Sequence, residues 1–126
     1  MPRTSVSAPG AVAVGPYSHA VVSGGFVFLS GQTPIDPATG RLVEGDIAAQ
    51  TRQCLANLGA VLAGAGLGFD DVVECHVFLV DMADFGAMNA AYAEAFEAPY
   101  PARTTIGVAA LPLGARVEIR MTARAR

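Results

Sequence analysis

The sequence predicts an α+β fold in which one sheet carries both helices on one face. Two observations lead to this prediction: two segments repeat apolar residues at helical spacing, and five others have the composition of strands. Their order is strand–strand–helix–strand–helix–strand–strand, which is an α+β layout. A chain of 126 residues suits one domain with a modest core, so we interpret residues 1–126 as a single domain.

The first two strands are predicted over residues 17–23 and 26–31, with a turn at Gly24-Gly25 between them. The stretch 34–40 that follows is rich in turn-forming residues, so we expect it at the surface.

The first helix is expected to begin near Asp46 and to end among the glycines at 64, 66 and 68. Apolar residues at helical spacing define its buried face. They are Ile47, Cys54, Leu58, Val61 and Ala65.

A third strand and a second helix follow. The strand is predicted over 71–80, and the helix covers roughly 84–97, where Pro99 and Pro101 end it. One side of the strand carries Val73, Cys75, Val77 and Leu79. The core stripe of the helix is formed by Phe85, Met88, Tyr92 and Phe96.

The last third of the chain is predicted to form two strands, about 103–109 and 115–124, that turn at 111–114. One face of the final strand is apolar and should pack under the helices; it carries Val117, Ile119, Met121 and Ala123. The other face carries Arg116, Glu118, Arg120, Thr122 and Arg124. That polar face must meet water or another subunit.

The charge pattern excludes several function classes. All eight basic residues are arginine, so the chain has no lysine for a Schiff base, for pyridoxal phosphate or for a P-loop. The net charge of −3 and the pI of about 5.2 give no basic footprint for nucleic acid, the C-terminal arginines excepted.

Cysteine use and hydropathy favour a cytoplasmic protein without a metal. Cys54 and Cys75 are isolated, and His19 and His76 stand far apart, so neither a disulfide framework nor a zinc site is supported. The uncharged run 53–69 falls short of the about 20 residues of a membrane helix. No secretory signal is expected at the N-terminus. A mean hydropathy of +0.43 favours oligomer interfaces.

One arginine and one carboxylate are candidates for chemistry. Arg103 lies in the stretch 101–105, and Glu118 lies on what the sequence predicts to be the neighbouring strand. A guanidinium can bind a small carboxylate at two points, and a nearby glutamate can move a proton or orient a water. The pair indicates chemistry on a small acid; a structural ion pair across a subunit interface is the alternative.

A set of short motifs points to a known family. They are Gly15-Pro16-Tyr17-Ser18, Ser30-Gly31-Gln32, Asp84-Phe85 with Asn89 and Tyr92, Pro101-Ala102-Arg103, and Leu111-Pro112 leading to Val117-Glu118-Ile119. Through their order and spacing the chain resembles the RidA family over almost its whole length. The resemblance implies a chorismate-mutase-like α+β fold, assembled as a homotrimer with three clefts between subunits.

The resemblance also implies an activity and site residues. Members of the family hydrolyse reactive enamines and imines, such as 2-aminoacrylate, to 2-keto acids and ammonia without a cofactor. The family's carboxylate-binding arginine falls on Arg103 and its water-positioning glutamate on Glu118. Its pocket positions fall on Tyr17, Ser30, Gly31 and Asn89.

For three of these pocket residues a structural role stays open. Tyr17 suits a packing role, Ser30 a backbone hydrogen bond, and Asn89 a helix-surface contact. Thr105 shares its strand face with Arg103 and is expected in the pocket wall.

Three positions depart from the family pattern. Thr105 stands where cysteine is frequent, which removes thiol chemistry there but not hydrolysis by an activated water. Arg120 stands where an acidic residue is common; about 7 Å from Glu118 on the same face, it is expected to keep Glu118 ionised. His19 stands where glutamine is common.

The rival hypothesis is a non-catalytic trimer that binds small keto or amino acids and regulates a partner. It needs Arg103 but not Glu118, so the presence of both favours the enzyme. An RNA-cleaving role, attached to some relatives, is disfavoured by the acidic pI and the absence of lysine. We expect a small-molecule substrate and neither a nucleic-acid nor a membrane partner.

Overall fold

The computed structural model describes residues 3–6 and 15–126, in which two helices pack on a mixed sheet. The helices are α1, Ile47–Gly64, and α2, Phe85–Ala93. The strands are β1 Thr4–Val6, β2 Ala20–Ser23, β3 Phe26–Gln32, β4 Ile35–Asp36, β5 Arg41–Leu42, β6 Val72–Leu79, β7 Ala102–Gly107 and β8 Val117–Arg124. The predicted α+β fold, with two helices on a sheet, is confirmed.

Six strands form the main sheet in the order β1-β2-β3-β8-β6-β7, and β4 pairs with β5 in a separate hairpin. Within the main sheet, β6 and β7 run parallel while the other neighbours are antiparallel. Because a parallel pair needs a crossover, α2 lies in the connection between β6 and β7. Among the described residues, no helix is long and apolar enough to span a membrane.

Helix α1 begins where the sequence predicts it. The Asp46 side chain caps the first turn, accepting a hydrogen bond from the backbone N–H of Ala49 at 2.9 Å. The predicted apolar face is buried at Ile47, Cys54, Leu58 and Val61. These side chains cover the sheet.

The core lies between the helices and one face of the sheet. Alternate residues of β8 are buried there, as predicted: Val117, Ile119, Met121 and Ala123. Both cysteines belong to this core. Burial raises the pKa of the Cys75 thiol to about 11 and also raises that of Cys54, so both thiols stay protonated at neutral pH.

Three predicted details are wrong. Val73 is exposed, because a register shift between Val72 and Glu74 places Val72 in the core instead. Helix α2 ends at Ala93 rather than near 97. Phe85 is 37% exposed and is therefore not a core residue. The other three residues of the predicted stripe, Met88, Tyr92 and Phe96, are buried.

Two short pairings were missed by the sequence analysis. β1 pairs with β2 at the edge of the main sheet. β4 and β5 pair with each other on either side of the exposed turn 37–40, which lies in the predicted turn segment. β2 begins only at Ala20 rather than at residue 17, so Tyr17 lies in the irregular segment before it. Strands of two or three residues are too short for an alternation pattern to identify.

The sheet face opposite the helices is exposed. Phe26, Phe28 and Ile106 contribute apolar surface to it and are each about two-fifths exposed. Glu118 and Arg120 lie on the same face, between the buried residues of β8. We call this the open face of the sheet.

Candidate functional site

Arg103 and Glu118 do not lie side by side within one chain. β6 lies between β7 and β8, so the prediction of neighbouring strands is wrong. Arg103 pairs with Cys75, whose side chain is in the core, whereas Glu118 pairs with Phe78 across the open face. Residues paired across a sheet project to the same side, so the two side chains leave opposite faces.

The Arg103 guanidinium is held by aromatic rings of α2. Its central carbon lies 4.8 Å from the ring centroid of Tyr92 and 5.7 Å from that of Phe85. Within residues 3–6 and 15–126, no carboxylate forms an ion pair with it. A guanidinium stacked on a ring keeps its N–H edges free, so Arg103 is arranged to bind an anion.

A cavity of about 300 Å³ lies beside this guanidinium. It is lined by Asn89, Tyr92, Ala93, Tyr100, Pro101 and Arg103. Three buried polar atoms in this region find no hydrogen-bond partner among the described residues: Asn89 Oδ1, Tyr92 Oη and Thr105 Oγ1. We call this cavity the arginine cavity. Thr105 does not line it, although it shares the strand face with Arg103.

A second, larger cavity of about 1080 Å³ contains Glu118. Tyr17, Ser30 and Gly31 line it too, so four predicted site residues meet here. We call it the glutamate cavity. The seven predicted site residues therefore divide: Arg103 and Asn89 line one cavity, four line the other, and Thr105 lines neither.

A β-bulge shapes the glutamate cavity. Leu29 pairs with Met121 and Gln32 with Ile119, so Ser30 and Gly31 together stand opposite Arg120. The Ser30 hydroxyl donates to the backbone carbonyl of Ser18 at 2.6 Å, which is the structural role left open for it. This bond ties the bulge to the segment before β2.

Gly31 permits the close approach of Glu118. A Cβ atom at residue 31 would lie 2.7 Å from Glu118 Oε2 and 3.0 Å from its Cδ. Only glycine leaves the carboxylate where it is.

The environment of Glu118 raises its pKa. The side chain is partly buried, and loss of solvation disfavours the charged form. The expected effect of Arg120, which would lower this pKa, is not found: burial raises the pKa, and within residues 3–6 and 15–126 the two side chains form no ion pair.

His19 lies in the glutamate cavity, although no sequence pattern placed it there. Its Nδ1 lies 3.3 Å from Gln32 Nε2, and its ring meets that of Tyr17 edge-on, with centroids 6.1 Å apart. Tyr17 thus packs against a neighbour while it lines the cavity.

Phe85 and Tyr92 were both assigned to the helix core, because their spacing is that of a core stripe. Spacing along the helix does not distinguish a core contact from a contact with Arg103, so the sequence carried no signal for the contact of these rings with the guanidinium.

Comparison with known proteins gives consistent matches. The sequence model of the family described as endoribonuclease L-PSP matches residues 7–125. Protein DfrA of Myxococcus xanthus is 50% identical over 109 residues, which are 85% of this chain and 83% of that protein. A Capra hircus protein named 2-iminobutanoate/2-iminopropanoate deaminase is 44% identical over 121 residues, 96% of this chain and 88% of that protein. The solved structure of RidA from an Antarctic Psychrobacter matches with a TM-score of 0.91 at 41% identity, covering 97% of this chain and 99% of that one.

Proposed function

The chain belongs to the RidA family, whose sequence model is the one described as endoribonuclease L-PSP, and from this premise we propose that it is an enamine/imine deaminase. The reaction adds water to the C=N bond of a 2-imino acid and releases a 2-keto acid and ammonia. Mammalian relatives at 42–46% identity are named 2-iminobutanoate/2-iminopropanoate deaminases, which supports this class of substrate.

The observation that carries the proposal is the pair of half-sites. A ring-stacked guanidinium without an anionic partner among the described residues lies in the arginine cavity, and a carboxyl group of raised pKa lies in the glutamate cavity. One binds a carboxylate and the other accepts a proton, which are the two functions that imine hydrolysis needs.

The two half-sites open on opposite faces of the sheet, so one copy alone does not assemble the pair. We propose a homotrimer in which the arginine cavity of one subunit meets the glutamate cavity of its neighbour. The apolar residues of the open face, Phe26, Phe28 and Ile106, are surface that such an interface would bury.

In the proposed mechanism, Arg103 binds the substrate carboxylate and fixes the imine carbon beside a water. Glu118 removes a proton from this water as its oxygen attacks that carbon, and this proton passes to nitrogen, which gives a carbinolamine. The carbinolamine hydroxyl then gives up its proton, by way of Glu118, to nitrogen; the C–N bond breaks, the C=O bond forms and ammonia leaves. A carboxylate with a raised pKa is a stronger base, and such assistance typically contributes about 10²–10⁴-fold. Tyr17, Ser30, Gly31 and Asn89 would line the assembled pocket.

The direct test follows keto-acid release from 2-aminoacrylate and 2-iminobutyrate, each generated in the assay by a dehydratase. We expect the wild-type protein to accelerate release above the spontaneous rate and Arg103→Ala to abolish the acceleration. Arg52→Ala is the matched control, because Arg52 forms an exposed ion pair with Glu94 at 2.9 Å, outside both cavities. A wild-type protein that leaves the spontaneous rate unchanged contradicts the proposal.

Replacement of Gly31 tests the position of Glu118 separately. Gly31→Ala is expected to lower activity about tenfold to 100-fold, because a displacement near 1 Å at a reacting group has an effect of this size. Gly86→Ala is the control, since a Cβ at Gly86 meets nothing within 4 Å. Rates are compared under the same assay, with urea unfolding to show that both variants fold. Full activity of Gly31→Ala would mean that the Glu118 position is not critical.

A second candidate is a non-catalytic protein that binds small keto acids. The arginine cavity favours it, because Arg103 and Asn89 form that cavity without any contribution from Glu118. Such a protein would gain thermal stability from 2-oxobutyrate through Arg103 and would be indifferent to Glu118→Gln. Loss of turnover in Glu118→Gln separates the two functions.

A further inference from the structure

Arg120 lies on the open face beside Glu118, and the proposed hydrolysis gives it no role. It stands two residues from Glu118 on β8, so both side chains leave the same face. Both also line the glutamate cavity. A second fixed positive charge therefore belongs to the surroundings of the proposed base.

Among the described residues, Arg120 forms no ion pair with a carboxylate. Across residues 3–6 and 15–126, the side-chain hydrogen bonds and ion pairs to carboxylates involve Arg52, Arg116 and Arg126, but not Arg120. Its direct partner on β6 is His76, whose Nε2 lies 3.5 Å from Glu74. Burial of part of a guanidinium without an anion costs free energy, so we expect an anionic group to bind beside Arg120.

The glutamate cavity leaves room for such a partner. The bulge places Ser30 and Gly31 across from Arg120, and the Glu118 carboxylate occupies the space beside Gly31, so the free volume is that of the cavity of about 1080 Å³ that Arg120 and Glu118 both line. The Ser30 hydroxyl is already directed to the Ser18 carbonyl. A ligand held near Glu118 can therefore reach Arg120 along the wall of the same cavity.

We propose that Arg120 binds a second carboxylate of the substrate, so that this protein prefers 2-imino dicarboxylic acids to monocarboxylic ones. The inference rests on the proposed function and specifies its substrate class. Arg103 holds the carboxylate next to the C=N bond, and Arg120 holds the one at the far end of the chain. The reaction stays balanced: the imino diacid and one water give the 2-oxo diacid and one ammonia.

The test compares 2-iminoglutarate with 2-iminobutyrate, generated from glutamate and 2-aminobutyrate by amino-acid oxidases. We expect wild-type kcat/KM to favour 2-iminoglutarate by about tenfold or more, the usual effect of one charge-assisted contact. Arg120→Gln should abolish that preference, because kcat/KM should fall by a larger factor for 2-iminoglutarate than for 2-iminobutyrate. Arg124→Gln is the matched control, because Arg124 lies on the same strand and face, is exposed and does not line the cavity.

Several outcomes overturn the inference. Equal use of both substrates by the wild type would do so, and so would an equal loss for both in Arg120→Gln. A change of oligomeric state in Arg120→Gln would assign the arginine to a carboxylate of a second copy instead.

A binding measurement separates this inference from the proposed function. The wild-type protein should gain more thermal stability from 2-oxoglutarate than from 2-oxobutyrate, and Arg120→Gln should remove the difference. If the wild type hydrolyses neither imine but keeps this Arg120-dependent selectivity, the deaminase proposal fails while diacid recognition stands. If the selectivity is absent, recognition by Arg120 fails whatever the turnover.

Discussion

Two inactive variants are expected to restore activity when their subunits are combined. Arg103→Ala and Glu118→Ala should each be inactive as pure proteins, because each lacks one half of the proposed site. When subunits of both kinds assemble at random in equal amounts, about a quarter of the interfaces join an intact Arg103 to an intact Glu118. We therefore expect about a quarter of wild-type turnover per subunit, measured after co-expression of the two variants.

The recovery depends on sheet geometry. Arg103 leaves the face that α2 covers and Glu118 leaves the open face, so in the proposed homotrimer a neighbouring copy brings them together. The control mixes the two folded proteins without subunit exchange, which should leave the mixture inactive. If mixed oligomers form, as native mass spectrometry of tagged subunits would show, and still no activity returns, the site is not shared between copies.

Removal of the Glu118 charge has the second large expected effect. Glu118→Gln keeps the size of the side chain but cannot take a proton from water, so kcat should fall about 10²–10⁴-fold. Keto-acid binding through Arg103 should change little, and the loss should therefore appear in kcat rather than KM. A variant that keeps near wild-type kcat would remove Glu118 from the mechanism.

The same variant should be more stable than the wild type at neutral pH. Burial raises the pKa of Glu118 in the folded protein, so the fold favours the protonated form. The stability that this provides is complete below the unfolded-state pKa and is lost as the pH rises through the folded-state pKa. In urea unfolding, the free energy of unfolding of Glu118→Gln should exceed that of the wild type near pH 7 and should equal it in acid. The opposite order at pH 7 would contradict the raised pKa.

Periodicity predicted the elements that bury one full face. Helix α1 and strand β8 each bury a long row of apolar residues, at helical spacing for α1 and at alternate positions for β8, so their positions and inner faces were correct. Periodicity does not predict the neighbours of a strand in the sheet. Alternation reports which side of a strand is buried but not which strand lies next to it, and so the insertion of β6 between β7 and β8 was not foreseen.

The resemblance named a set of candidate site residues but not their arrangement. The family resemblance supplied Arg103, Glu118 and the pocket positions, whereas their division between two cavities depends on strand order. Phe85 shows a second limit. An apolar residue at core spacing counts as core in a periodic pattern, even where its ring lies near a guanidinium, as Phe85 does at 5.7 Å from Arg103.

Under the proposed function, the burial of both cysteines has a chemical consequence. Amine side chains exchange into imines and form adducts with keto acids, and thiolates add to electrophilic carbon. This sequence has no lysine, and its two thiols are buried with raised pKa values. The side chains thus offer the proposed substrates and products no ready nucleophile, and the protein should remain free of covalent adducts through many turnovers.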